Sequence, residues 1–199
     1  MMGDHLPLLL ASASQVRADL LHGAGLPFDI CVSPVDEEEA KQRLSSEPDA
    51  LAMELARLKA CAVSLDTPAT LVIGADQVLS CEGKKFDKPR DMKEARKNLS
   101  FFRGKTHTLH SAVTLALDGE IVWSHGDRAH LTMRDFSDAF LDHYLRQAGE
   151  KILKSVGCYQ LESVGVQLFE KIDGVYFTIL GLPLLPLLEE LRARKVILA

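Results

Sequence analysis

Apolar and polar positions change period repeatedly along the chain, and each change marks an element. Leu8-Leu9-Leu10-Ala11 is an unbroken apolar run that stops at Ser12-Ala13-Ser14-Gln15-Val16-Arg17. Helix-like Ala18-Asp19-Leu20-Leu21 follows, so the order is strand, short polar turn, helix N-terminus. Gly25-Leu26-Pro27 is a break, and Phe28 to Val32 alternates as a strand does. After the acidic run Asp36 to Glu39, Pro48-Asp49 opens a helix with Leu51, Leu55, Leu58 and Ala62 on one face and Lys59 off that stripe. Leu71-Val72-Ile73-Gly74-Ala75-Asp76 reads as a central strand buried on both faces and ending in a carboxylate.

The second half is richer in hairpins. Asp91 and Glu94 form a capping-box pattern before a helix with Met92, Ala95, Leu99 and Phe102 on one face. Leu109–Leu117, the Asp118-Gly119 turn and Ile121-Val122-Trp123 predict a hairpin. Arg128 to Met133 alternates again, and Ser137 to Gln147 is helical. Val164–Phe169 and Tyr176–Leu180 predict two further strands around the Asp173-Gly174 turn. The apolar run Ile179–Leu188 predicts a buried strand leading into an amphipathic helix. Helices and strands alternating early, with hairpins later, predict an α/β fold whose central sheet is mixed and flanked by helices.

Composition narrows the function. A chain of 199 residues with 47% hydrophobic content fits a single domain with an ample core. The net charge of −5 advertises no surface for nucleic acid, so a bound polyanion needs a local group of cations. That favours a small phosphorylated ligand. Cys31, Cys61, Cys81 and Cys158 are scattered, which points away from a disulfide framework or a thiolate zinc site. Met1-Met2-Gly3-Asp4-His5 lacks the pattern of a secretory leader, and the C-terminal apolar run is too short to span a bilayer. The expectation is a cytoplasmic protein without a membrane partner.

Three places carry candidate chemistry. A helix N-terminus after Ser12 and Ser14 offers N–H groups and hydroxyls to an anion, and the planar fork of Arg17 suits phosphate oxygens. The alternative is that Ser14 only caps the helix and Arg17 is a surface residue. Asp76, at the end of a buried run, sits where open α/β sheets bind ligands and suits a metal or an attacking water; the alternative is a turn-forming aspartate. Lys88, held extended before Pro89, and Lys59 are each able to present an ammonium to phosphate. Glu37, one of four consecutive acids, suits a Mg²⁺ site completed by substrate phosphates, although such a run is ordinarily a solvated face. His107 and His110, at i and i+3 on a strand, point to opposite faces and do not suit a shared metal.

Taken in order, L-A-S-x-S-x-x-R-x-x-L-L, D-E, L-A-x-x-K-A, V-I-G-A-D-Q-V, K-P, G-K-T-H, G-x-Y-x-x-E-x-x-G and G-L-P-L resemble the Maf family from Leu8 to about Leu191. The resemblance implies a nucleoside triphosphate pyrophosphatase that cleaves between the α- and β-phosphates. It also implies a divalent cation (Mg²⁺, Mn²⁺ or Co²⁺), a cleft between two lobes similar to that of the inosine triphosphate pyrophosphatases, and a homodimer. By motif position, Ser12 and Arg17 fall in the phosphate-binding turn and Glu37 at a metal-binding acid. Lys59 and Lys88 are the motif lysines, and Asp76 is the general base or metal ligand. Gln77 after Asp76, together with Gly157-x-Tyr159-x-x-Glu162-x-x-Gly165, looks like the subgroup acting on 7-methyl-GTP. There Glu162 and Tyr159 suit a cationic methylated base; the alternative places Tyr159 in the core and Glu162 on the surface. A dTTP/UTP pyrophosphatase, or a nucleotide-binding regulator of cell division without turnover, are the competing expectations. Gln15, Val16 and Asp87 depart from the family pattern, the first two where proline and a basic or aromatic residue are usual and the third where glycine is usual.

Overall fold

The computed structural model describes residues 6–44 and 47–198; Met1–His5, read above as lacking a leader, lie outside the described residues. In chain order the elements are β1 (Leu8–Leu10), α1 (Gln15–Gly23), β2 (Asp29–Ile30), α2 (Glu37–Arg43), α3 (Pro48–Ser64), β3 (Leu71–Cys81), β4 (Lys84–Phe86) and α4 (Met92–Phe102). They continue as β5 (Thr106–Leu117), β6 (Glu120–Met133), α5 (Asp138–Ala148), β7 (Phe169–Asp173), α6 (Tyr176–Ile179) and α7 (Leu184–Ala193), with 3₁₀ turns at Gly149–Lys154 and Val164–Leu168. The strands follow the order β2-β1-β3-β5-β6-β7, with β4 paired to β3. β1 is parallel to both neighbours, whereas β3–β4 and β6–β7 are antiparallel, so the sheet is mixed as expected.

Two compact units divide the chain: Met1–Gln77 with Ser111–Asp127 and Val175–Ala199, and Val78–His110 with Arg128–Gly174. In the first unit, alternation along β3 sends Leu71, Ile73 and Ala75 to one face. There they pack with Leu8 and Leu10 of β1, Ala18 and Leu21 of α1, and Leu184, Leu187 and Leu191 of α7. Val72 goes to the other face, beside Ala11 and Val63 of α3. Helices thus cover both faces, which is why β3 reads as a continuous apolar run. In the second unit, Asp91 caps α4 by accepting from the Glu94 amide, and Ser137 caps α5 in the same way through Phe140. Glu94 itself reaches the Arg90 amide, so only half of the expected capping box forms.

Several expectations change. Val164–Leu168 is a 3₁₀ turn and Tyr176–Ile179 a short helix, where strands were expected. The strand expected before the C-terminal helix is therefore α6 and a turn. Phe28–Val32 shrinks to the two-residue β2, and Arg128–Met133 is the end of the long β6. On α3 the buried face runs through Leu51, Ala52, Leu55, Ala56, Lys59, Ala60 and Val63. Leu58 is 39% exposed, so the stripe is rotated from the expected one and Lys59 lies on it. Small Ala56 and Ala60 let this face approach the sheet closely at Gly74.

Candidate active site

The first unit assembles the site from four backbone segments. Ser12 follows β1, and its buried hydroxyl accepts from the Ser14 amide at 3.2 Å and from Arg17 Nη1 at 3.2 Å. Ser14 is the N-cap of α1, accepting from the Arg17 amide at 3.4 Å. Arg17 is no loose surface residue: Nε donates to the Gly181 carbonyl at 2.8 Å and Nη1 to the Ala75 carbonyl at 3.0 Å. Burial lowers its pKa from the usual value, while the charges of Asp76 and Glu37 pull the other way. A guanidinium stays protonated throughout, so a fixed positive charge is held at the end of β1.

On the opposite face of β3, Lys59 Nζ lies 2.6 Å from Asp76 Oδ1 and 2.6 Å from Glu37 Oε1. Only glycine at position 74 permits this. A Cβ there would come within 2.3 Å of the Ala56 carbonyl oxygen and 2.7 Å of Ala60 Cβ, so a side chain would push α3 and Lys59 away. Glu37 is placed by Asp36, whose carboxylate accepts from the Glu38 and Glu39 amides and fixes the start of α2. Glu38 and Glu39 pair along α2 with Lys41 and Arg43. The acidic run is therefore divided into a cap, a site residue and a solvated face. Asp76 lies within β3, not at its end, because the strand continues to Cys81. Lys59 tolerates burial because two carboxylates neutralise it.

Two carboxylates meeting at one cation fit a hard divalent ion that completes its shell with water and phosphate oxygens. Among the described residues no group of three or more His, Cys, Asp or Glu side chains forms a candidate cage.

Comparison with known proteins identifies the family. A family model described as "Maf-like protein" matches residues 7–194. The chain belongs to the Maf family. It is 50% identical over 193 residues to a protein of Brucella suis named "7-methyl-GTP pyrophosphatase", covering 96% of this chain and 97% of that one. It is 52% identical over 187 residues to a "Nucleoside triphosphate pyrophosphatase" of Paramagnetospirillum magneticum, covering 92% and 96%. A solved Mycobacterium abscessus structure titled "Nucleoside-triphosphatase / dITP/XTP pyrophosphatase" has a TM-score of 0.42 at 13% identity, covering 96% of this chain and 95% of that one.

The structure brings Ser12, Arg17, Glu37, Lys59 and Asp76 of this Maf protein together in the first unit. Gln77 belongs to the same unit but points to the other face of β3 from Asp76, toward Ser111 and α6. Lys88, Tyr159 and Glu162 belong to the second unit. Lys88 is exposed after β4, and Glu162 is exposed before the second 3₁₀ turn. Tyr159 does not offer a ring face to a base: it is 5% exposed, it donates to or accepts from His107 Nε2 at 2.7 Å, and it packs on Phe169. Burial raises its phenol pKa well above the usual value. The motif glycine, Gly157, is explained by this ring, since a Cβ there would approach Tyr159 Cε1 to 2.3 Å. Sequence reasoning missed Gly74, Ser111, Thr178 and Gly181; only the glycines carried a signal, as interruptions of apolar runs.

Proposed function

We propose that this chain hydrolyses 7-methyl-GTP to 7-methyl-GMP and pyrophosphate with a divalent cation. It is a nucleotide pyrophosphatase, a hydrolase of phosphoanhydride bonds. The observation that carries the reading is Lys59 held between Glu37 and Asp76 next to the Arg17–Ser12 turn. Relatives at about half identity support it, one named "7-methyl-GTP pyrophosphatase" and the other, more broadly, "Nucleoside triphosphate pyrophosphatase".

In this reading Arg17 and the Ser12 hydroxyl bind phosphate oxygens, as a guanidinium and a helix N-terminus do. Asp76 Oδ1 is taken by Lys59, which orients the carboxylate so that Oδ2 accepts a proton from water attacking the α-phosphorus. Pyrophosphate departs as the P–O bond to the bridging oxygen breaks. Glu37 and Asp76 would hold the cation, which supplies charge neutralisation to the triphosphate when bound. Lys88 as a further phosphate ligand and Glu162 as partner of the methylated base rest on the motif match. Residues 1–199 are read as one functional domain.

The proposal extends to a cytoplasmic homodimer acting on a free nucleotide, not on nucleic acid or at a membrane. Among the described residues no helix is long and apolar enough to cross a membrane. Pyrophosphate release with Mg²⁺, Mn²⁺ or Co²⁺ from 7-methyl-GTP, dTTP, UTP, CTP and GTP tests the reading. Preferential turnover of 7-methyl-GTP is expected. Preference for dTTP and UTP would keep the mechanism and replace the substrate, whereas nucleotide binding without release would favour a regulator.

A further inference from the structure

Gln77 has its carboxamide nitrogen committed. Nε2 carries two N–H bonds, and three acceptors surround it: Ser111 Oγ at 2.8 Å, the Thr178 carbonyl at 3.0 Å and the Ile179 carbonyl at 3.1 Å. The Thr178 carbonyl also accepts from Ser111 Oγ at 2.8 Å and from the Gly181 amide at 3.0 Å. At its other end, Thr178 Oγ1 donates to Asp127 Oδ2 at 2.6 Å. These bonds converge on the four-residue α6, which is too short to be stable by itself. Two residues after its end, beyond the C-cap Leu180, Gly181 adopts φ +91, and its carbonyl is the one that receives Arg17 Nε.

We propose that Gln77, Ser111 and Thr178 are positioning residues for Arg17: they lock α6 so that the Gly181 carbonyl aims the guanidinium at phosphate, and Gln77 does not read the base. The inference rests on the proposed use of Arg17 as a phosphate ligand. With Nε and Nη1 fixed by Gly181, Ala75 and Ser12, the guanidinium meets the substrate already oriented, which reduces the ordering cost of binding. Loosening α6 therefore weakens phosphate binding whatever the base.

Inorganic tripolyphosphate separates the two roles because it has no base. Its affinity is measured by calorimetry for the wild type and for Gln77→Leu, Ser111→Ala and Thr178→Val, beside KM and kcat for 7-methyl-GTP and GTP. Each variant is expected to bind tripolyphosphate about fivefold to tenfold more weakly, the size of one or two lost hydrogen bonds. KM should rise alike for both nucleotides, kcat should change less, and Thr178→Ser should restore binding. In an Arg17→Lys background, Gln77→Leu should add little. Unchanged tripolyphosphate affinity with an altered 7-methyl-GTP to GTP preference would overturn the proposal, as would full additivity with Arg17→Lys. Should Gln77→Leu fail to fold, Ser111→Ala decides by the same criteria. If the wild type binds tripolyphosphate and the variants weaken it, but no nucleotide is turned over, the positioning role stands and the proposed function falls. No tripolyphosphate binding by the wild type would remove both.

Discussion

Lys59 holds two acids with one ammonium. Removing that charge takes from Glu37 and Asp76 the ammonium they share, and Asp76 is largely buried. Lys59→Met should lower stability by about 2–3 kcal/mol, less than a fully buried pair because Glu37 is partly exposed. Mg²⁺ should return part of that loss, since the freed acids are the proposed cation ligands. Urea unfolding with and without Mg²⁺ checks this; an equal deficit in both would separate the acid pair from the cation. Which residues meet here was legible only through the order of short motifs. The burial of Lys59 was not, because hydropathy places a lysine outside by default and says nothing of acids arriving from α2 and β3. The acidic run Asp36–Glu39 was equally opaque, since one cap, one site acid and two solvated acids have the same composition.

At the scale of elements, contact between α3 and β3 makes the site. Gly74→Ala inserts a methyl group against the Ala56 carbonyl and Ala60. It should cost about 1–3 kcal/mol by overpacking and reduce activity out of proportion, because the displaced helix carries Lys59. Thermal melts and kcat, measured on the same preparation, check it; unaltered kcat in a destabilised variant would detach the packing from the chemistry. The long signals were readable: β3 as an apolar run, β5 and β6 around Asp118-Gly119, α4 with its Asp91 cap, and α5. The misread segments are short. Val164–Leu168 and Tyr176–Ile179 offer too few residues to distinguish a period of two from three or more. α6 is also decided by distant bonds, from Gln77 and Ser111, that no local pattern contains.

Across the whole molecule, the two units carry different burdens. The first contains the Glu37–Lys59–Asp76 cluster and the Ser12–Arg17 turn, and the second buries an aromatic group around His107. Burial lowers the His107 pKa from 6.5 to about 3. An unfolded chain takes up that proton as pH falls through 6.5, and the folded one does so only near 3. This contribution to stability is therefore complete above 6.5 and is lost as pH falls toward 3, by about 2 kcal/mol between pH 7.5 and 5. His107→Gln should flatten the pH dependence of the urea midpoint over that range; an unchanged slope would place the acid sensitivity elsewhere. The proposal assigns the general base to the first unit, and one comparison tests that most directly: pyrophosphate release from 7-methyl-GTP with Mg²⁺ by the wild type and by Asp76→Asn at matched thermal stability. The expected result is rapid release by the wild type and a loss of at least about a hundredfold in the variant, the size of a missing general base. Full activity in a folded Asp76→Asn protein would contradict the role assigned to the Glu37–Lys59–Asp76 cluster.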